Sequence, residues 1–371
     1  MKRRFFLIMS LVTVCILSSN FLSITQASQQ SIVESSNGVS INNPFNISES
    51  NINNVLLEIK QGIQRDKQQD SSQIFSTNKM DDAKTKNGIY DYIVLDSNYI
   101  YSYEESPNQT PKLDIQKFDS NSLLTPKNQS TVSDNVYTNK SLATSLVAAG
   151  SPFVIGDGIG GRQNIVKTGG YLSTKLHLPN ETQVEEEIAA YNYSGFSAGT
   201  YEADMGLVYD SSVGPGSSSK GWKPTMVVKK GTSVASSSDL IAGYSNVQAA
   251  NAYSPDSDVV LYVWHNYEGK VRMKITGTAI CTDQGCSHTQ KTALTTIMET
   301  ASSSLNISNL DKWKLLSTVV SSANKGKNKA VYSSIKVDDN PVPSSAFSTP
   351  LTEKTTITRD ANNTVTITVS G

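Results

Sequence analysis

From Tyr171 to Val369 the chain is cut into short strand-like stretches, and no long helical pattern interrupts them. The stretches are Tyr171–Leu178, Glu187–Tyr193, Gly199–Tyr209, Thr225–Lys229, Val259–Trp264, Val271–Ala279, Thr292–Thr296, Trp313–Val320, Ala330–Val337 and Thr355–Val369. Turn residues separate them. In the last, Thr364, Thr366 and Thr368 alternate with Val365, Ile367 and Val369, the pattern of a half-buried strand with one wet face. So many strands without a helix between them require two packed sheets. The expected fold is all-β, a concanavalin-like β-sandwich or jelly roll. Roughly 230 residues are available to it from residue 141, well beyond an immunoglobulin-type module of about 100.

The first residues read as an export signal. Lys2, Arg3 and Arg4 form a basic start, Phe5 to Ile16 is almost continuously apolar, and Thr25-Gln26-Ala27 presents small residues for cleavage after Ala27. The apolar run is about a dozen residues, short of the roughly 20 that span a bilayer. The expectation is a leader over 1–27, no transmembrane segment in the mature chain, and a secreted or cell-surface-associated protein. Residues 28–140 form a polar extension, expected to be partly disordered. Within it Ile52, Val55, Leu56, Ile59 and Ile63 recur at helical spacing, with Leu57 widening the stripe, and predict an amphipathic helix over 51–69. Tyr90, Tyr92, Tyr99, Tyr101 and Tyr103 sit at period two on strands and are expected to cover a small hydrophobic core. Pro107, Pro111 and Pro126 mark 104–140 as linker, and the domain boundary is placed at residue 140.

Removing the leader takes away three basic residues, Lys2, Arg3 and Arg4, and no acidic ones, so the formal charge moves from −1 to −4. That argues against a nucleic-acid partner, which needs a concentrated basic surface. Outside the leader the cysteines are Cys281 and Cys286. An oxidising destination and the turn-like Thr-Asp-Gln-Gly between them predict a disulfide across a hairpin tip. So small a ring contributes only about 2 kcal/mol. His288 nearby does not complete a usual zinc pattern, and neither a metal nor another cofactor is expected. The glycines of 150–170, including Gly156-Asp157-Gly158-Ile159-Gly160-Gly161, lack the Gly-Lys-Ser/Thr and βαβ context of a nucleotide loop. They are read as tight turns feeding the first strands.

Several stretches carry a family resemblance. They are Gly169-Gly170-Tyr171-Leu172-Ser173-Thr174, Tyr193-Ser194-Gly195-Phe196-Ser197-Ala198-Gly199 and Tyr201-Glu202-Ala203-Asp204-Met205-Gly206-Leu207, with Trp264-His265 and Gly277-Thr278 later. Over residues 145–371 the chain resembles the YrpD-like group of secreted bacterial proteins, to which no activity is assigned. The resemblance implies secretion and one β-rich domain, and carries over no catalytic residue.

Two constellations could hold chemistry. Glu202 and Asp204 are two apart on a strand and share a face, as the carboxylates of a glycosidase must converge. The stretch resembles the acidic strand of laminarinase-like glucanases, but the third same-face position is Gly206. Asp256, Asp258 and Glu268 are further carboxylates that could complete a pair. The second constellation is aromatic. Tyr262 and Trp264 share a strand face, His265 points the other way, Tyr267 follows in the turn, and Trp222 ends a Gly/Ser-rich loop where its ring is expected to be exposed. Trp313 opens an apolar strand and is read as core. His177, His265 and His288 are scattered, and no Gly-x-Ser-x-Gly or His-Glu-x-x-His occurs. Three readings stay open on one scaffold: a non-catalytic sandwich binding a glycan or cell-envelope polysaccharide, a polysaccharide hydrolase or lyase, and a structural matrix or spore-surface protein.

Overall fold

The computed structural model describes residues 32–34, 38–73, 88–118, 158–184, 189–210, 221–230, 240–245, 251–281, 292–301, 305–320 and 325–371. The leader, the boundary at 140 and Cys286 lie outside them, and with Cys286 the expected disulfide. The N-terminal part gives β1 (Ile32–Glu34), β2 (Ser40–Asn42), helix α1 (Glu49–Gln73), β3 (Ile89–Leu95), β4 (Tyr99–Glu105) and β5 (Lys112–Lys117). Then come β6 (Gly158–Ile165), β7 (Tyr171–His177), β8 (Ala189–Ala198), β9 (Tyr201–Asp210), β10 (Gly221–Lys230), β11 (Leu240–Ser245) and β12 (Asn251–Tyr253). The remainder is β13 (Asp258–Tyr267), β14 (Lys270–Cys281), β15 (Thr292–Thr300), β16 (Lys312–Val320), β17 (Lys327–Val337), β18 (Asn340–Pro341), β19 (Leu351–Glu353), β20 (Thr355–Arg359) and β21 (Val365–Ser370).

Pairing sorts these strands into two layers of a sandwich. The front layer runs β1-β2-β5-β4-β3-β15-β14-β13-β7-β17-β21-β20. The back layer runs β11-β10-β9-β8-β16-β6-β19. Strand β12 bonds to β10 in one layer and β14 in the other, so one hydrogen-bonded network folds over on itself. It is mixed, with β2–β5 and β3–β15 parallel.

Alternation along each strand fills the space between layers. Leu172, Leu176, Leu261, Val263, Met273 and Ile367 of the front meet Phe196, Met205, Leu207, Met226, Trp313 and Leu315 of the back. Two polar side chains that enter between the layers, Tyr332 and Asn328, are satisfied there, as burial demands. The Tyr332 hydroxyl lies 2.7 and 2.6 Å from the carbonyls of Tyr193 and Leu316, and the Asn328 amide donates to the carbonyls of Tyr191 and Thr318 at 3.0 and 3.1 Å. These bonds tie β17 to β8 and β16 across the sandwich.

The extension is more ordered than its composition suggests. Strand β3 pairs in parallel with β15, so residues 88–118 continue the front layer. Lys112–Lys117, read as linker, is a strand, its Leu113 and Ile115 buried in alternation. The helix lies over the outer face of this part, four residues longer at its end and two at its start than the sequence predicts. Ile52, Leu56, Ile59 and Ile63 pack on Tyr90, Tyr92, Tyr101, Tyr103, Leu113, Ile115 and Ile297. The tyrosines therefore do cover a small core. Leu57 turns away and is exposed. The glycine-rich 158–165 is strand β6 rather than a turn. A side chain at Gly161 would stand 2.7 Å from Thr355 where the layers meet, so the glycine serves a close approach of two strands.

Gly62 tests the helix docking. On propensity alone, alanine would stabilise the helix by about 1 kcal/mol. Here the added methyl would lie 2.3 Å from the Tyr92 hydroxyl oxygen and 2.7 Å from its ring, and that ring is fully buried. Gly62→Ala should therefore destabilise the protein, by about 1–3 kcal/mol as overpacking does. Urea unfolding with the same m-value and a lower midpoint is the expected result.

Candidate functional site

The front layer presents its other half, β13, β7 and β17, without the helix. On β13 the residues Val259, Leu261 and Val263 enter the core, so Tyr262 and Trp264 stand on the outer face. Register places Tyr171 beside Trp264 and Ser173 beside Tyr262 on the β7 side, with Arg272 and Lys274 on the β14 side. The rings make a ladder. Tyr262 and Trp264 stack at 5.7 Å and 17°, and Tyr171 lies 5.5 Å from Trp264 and 6.3 Å from Tyr262.

A β-bulge between Trp264 and Tyr267 extends this ladder. Strict alternation would send Tyr267 to the opposite face from Trp264. His265 follows the ordinary alternation inward, 6.0 Å from Phe196 and 2.9 Å from the Ile307 carbonyl oxygen. The extra residue of the bulge returns Tyr267 to the outer face, edge-on to Trp264 at 5.7 Å. The Arg272 guanidinium sits 4.2 Å from the Tyr267 ring centre and 5.7 Å from that of Trp264, within cation–π range. Asp66 of the helix and Glu299 hold it at 3.8 and 4.0 Å. All four rings are half-buried and none belongs to the hydrophobic cores. At one end the Tyr171 hydroxyl is bonded to Asp339; burial and this carboxylate push its pKa up. At the other, Asp258 bonds Lys175 at 2.6 Å and His177 at 2.9 Å. Burial alone would raise the Asp258 pKa, but these two hydrogen bonds outweigh it and hold the carboxyl below its usual range.

Trp222 is placed differently from its expectation. It is the second residue of β10, not a loop residue, and has no exposed surface. Its even-numbered neighbours Met226 and Val228 share the inner face, and its ring packs 5.3 Å from Tyr209. The Gly/Ser run before it ends one residue too early for its ring to escape the core. Trp313 is fully buried, as expected.

Glu202 and Asp204 do share a face, the outer face of the back layer. Lys314 lies 2.7 Å from Glu202 and 2.6 Å from Asp204, and no part of it is exposed. Lys314 and Asp204 occupy one cross-strand row with Gly195 between them, and the absent side chain leaves the lysine room to cross β8. Burial pushes the Asp204 pKa up, but Lys314, Arg162 and Lys229 together bring it below its ordinary value. Asp256 and Asp258 stand by His177 on the front layer, and Glu268 pairs with Arg65 at 2.5 Å. None of the three joins Glu202 and Asp204. Sequence reading passed over Lys314, Arg162, Lys229, Arg272 and Tyr171, because cross-strand register, which brings them in, leaves no periodic mark. Among the described residues no cluster of His, Cys, Asp or Glu is arranged to hold a metal ion. No helix among them is long and apolar enough to cross a membrane.

A two-layer β-sandwich carrying an outer-face aromatic ladder is thus the class that fold and site define. By its match over residues 153–370 to the family described as "Domain of unknown function, YrpD", the chain belongs to the YrpD family. It is 32% identical over 179 residues to "Uncharacterized protein YrpD" of Bacillus subtilis (strain 168). That match spans 48% of this chain and 66%, just under two thirds, of the relative. Among solved structures, scytalido-glutamic peptidase with a transition state analog inhibitor superposes with a TM-score of 0.33 at 8% identity, covering 58% of this chain and 99% of that one. SCP-B, an Eqolisin-family peptidase with a bound tripeptide, gives a TM-score of 0.31 at 10% identity over 58% of this chain and 99% of that one.

The Lys314 cluster makes a stability prediction. Lys314→Met strands two buried carboxylates and should cost about 3–5 kcal/mol at neutral pH. The Asp204 pKa is lowered on folding, so in the parent protein its contribution is present above the unfolded carboxylate value and lost as pH falls through the folded one. The mutant lacks that contribution, and its carboxyls gain by protonation. The stability gap between parent and mutant should therefore narrow in acid, as denaturant midpoints from pH 7 down to 3 would show.

Proposed function

We propose that this chain is an exported, envelope- or matrix-associated β-sandwich of jelly-roll type that binds a glycan on the ladder of Tyr171, Tyr262, Trp264 and Tyr267. The carrying observation is that four half-exposed rings gather on one rigid sheet face outside either core. Aromatic rings offer the C–H faces of sugars a surface that water does not solvate well. The tyrosine hydroxyls, Ser173 and the Lys175–Asp258 pair supply hydrogen-bonding groups at its margins. Export rests on the basic and apolar leader, and in that setting Cys281 and Cys286 join across their turn.

The same reading makes the protein a binder rather than a hydrolase. A glycosidase needs one carboxylic acid kept protonated near neutral pH, with its pKa raised. Asp204 is instead drawn down by the cations around it, and Lys314 neutralises both carboxylates of the strand. Those features support a structural role for Glu202 and Asp204.

The test is a polysaccharide-binding screen with the full chain, followed by two tryptophan variants. Loss of a stacking anchor costs about 2 kcal/mol or more, a roughly thirtyfold loss of affinity. Trp264→Ala should weaken binding by that factor with little change in melting temperature. Trp222→Ala should do the reverse, losing about 3–5 kcal/mol of stability as large core residues do. If Trp264→Ala melts early and binds as the parent does, the ladder is packing and the reading falls.

A further inference from the structure

Beside the ladder lies a cation whose position the backbone has gone out of its way to set. On β17, Ala330 and Tyr332 enter the core. Continued alternation would send residues 334 and 336 inward after them. Instead the register with β7 slips between Ser333 and Lys336, with Ser334 at a φ of 51°. That single extra residue is a bulge, and it reverses the phase. Ile335 and Val337 become the core residues, and Lys336 turns outward. Bulges recur beside functional sites because they re-aim a side chain in this way. Strand β13, on the other side of β7, carries another bulge, the one that turns Tyr267 onto the same face.

The register then gives Lys336 its surroundings. It stands opposite Ser173, which stands opposite Tyr262, so the three form one row across β17, β7 and β13. Two strand spacings put Lys336 roughly 10 Å from Tyr262 at the backbone, a gap that a four-carbon lysine stem can span in large part. Ser173 between them is the smallest side chain of the row and is itself buried, so that Tyr262 and Lys336 are the larger side chains on either side of it. Arg272 and Lys274 are held by Asp66 and Glu299, and Lys175 by Asp258. Among the described residues the Lys336 side chain has neither a hydrogen-bond nor an ion-pair partner, and the residue is half-buried.

Building on the glycan reading above, we infer that the ligand is an anionic glycan, its sugar rings on the ladder and its negative group over Ser173 against the Lys336 ammonium. A neutral glycan would leave this half-buried cation without its complement. A polyanion recognised by charge alone would not require the rings.

The experiment measures binding of the full chain to polygalacturonate, to neutral dextran and to dextran sulfate, for the parent protein and for Lys336→Gln, Lys336→Arg and Trp264→Ala. Polygalacturonate should bind more tightly than dextran and weaken as salt rises. Loss of a hydrogen-bonded charge contact should lower its affinity by about tenfold in Lys336→Gln, with dextran binding and melting temperature unchanged. Lys336→Arg should retain most of the affinity, and Trp264→Ala should lose binding to both polygalacturonate and dextran. If dextran binds through Trp264 while polygalacturonate binds no better or ignores Lys336→Gln, the anionic assignment is overturned and the ladder stands. If dextran sulfate matches polygalacturonate and Trp264→Ala changes neither, the surface is a generic ion exchanger and the inference fails. If no polysaccharide binds, both it and the glycan reading fall.

Discussion

A strand gives each side chain only two places to go, and everything in this sandwich depends on which one is taken. The two-residue repeat fills the space between the layers with Leu172, Leu261, Val263, Phe196 and Trp313. The same repeat forces the residues between them outward. On β13 that outward set happens to be Tyr262 and Trp264, and on β7 it is Tyr171 and Ser173. The ladder is therefore not a separate device added to the fold. It is the reverse side of the core, and its spacing is the spacing of the strands. At the bulges of β13 and β17 the chain departs from this rule, and each of these departures adds a side chain to the same face.

The two outer faces of the sandwich treat charge in opposite ways. On the back layer Lys314, wholly buried, reaches across Gly195 to the buried Glu202 and the largely buried Asp204. A buried ion group of this kind contributes little net stability but is costly to break, and so holds β16, β8 and β9 to one register. On the front layer the helix supplies Glu58 and Asp66 to the basic row Lys270, Arg272 and Lys274. That contact anchors the helix and also fixes Arg272 over Trp264 and Tyr267. The helix thus shapes one margin of the ladder through these ion pairs.

Sequence patterns gave good sight of what is local. The period-two stretches located nearly all the long strands, and the three- and four-residue spacing of Ile52, Leu56, Ile59 and Ile63 located the helix. Tyr262 and Trp264 were legible as a shared face for the same reason. What stayed hidden depends on partners distant in sequence. Leu113 and Ile115 form too short an alternation to stand out from a Pro- and Ser-rich background, and β5 exists because β4 is beside it. The glycines of β6 read as turns because their reason, the nearness of Thr355, lies nearly two hundred positions away. Trp222 was assigned by the composition before it, while its burial is set by Tyr209 and Tyr253 across the ladder of hydrogen bonds. Lys336 shows no sequence signal, since a bulge leaves the residue types unchanged and alters only their phase.

The parallel pairing of β3 with β15 joins Ile89 to Leu294 and Leu95 to Thr300. During synthesis, the first of these strands leaves the ribosome about 200 residues before the second; at roughly 5–20 residues per second that is a wait of about 10–40 seconds. Throughout that interval Tyr92 and the apolar stripe of the helix have only each other and the strands β2, β4 and β5 for shelter. Contacts so far apart in the chain close slowly, because the intervening loop must surrender its freedom before they reward it. The β3–β15 pairing, which completes the shelter of that apolar surface, is therefore among the slow contacts of the fold to close.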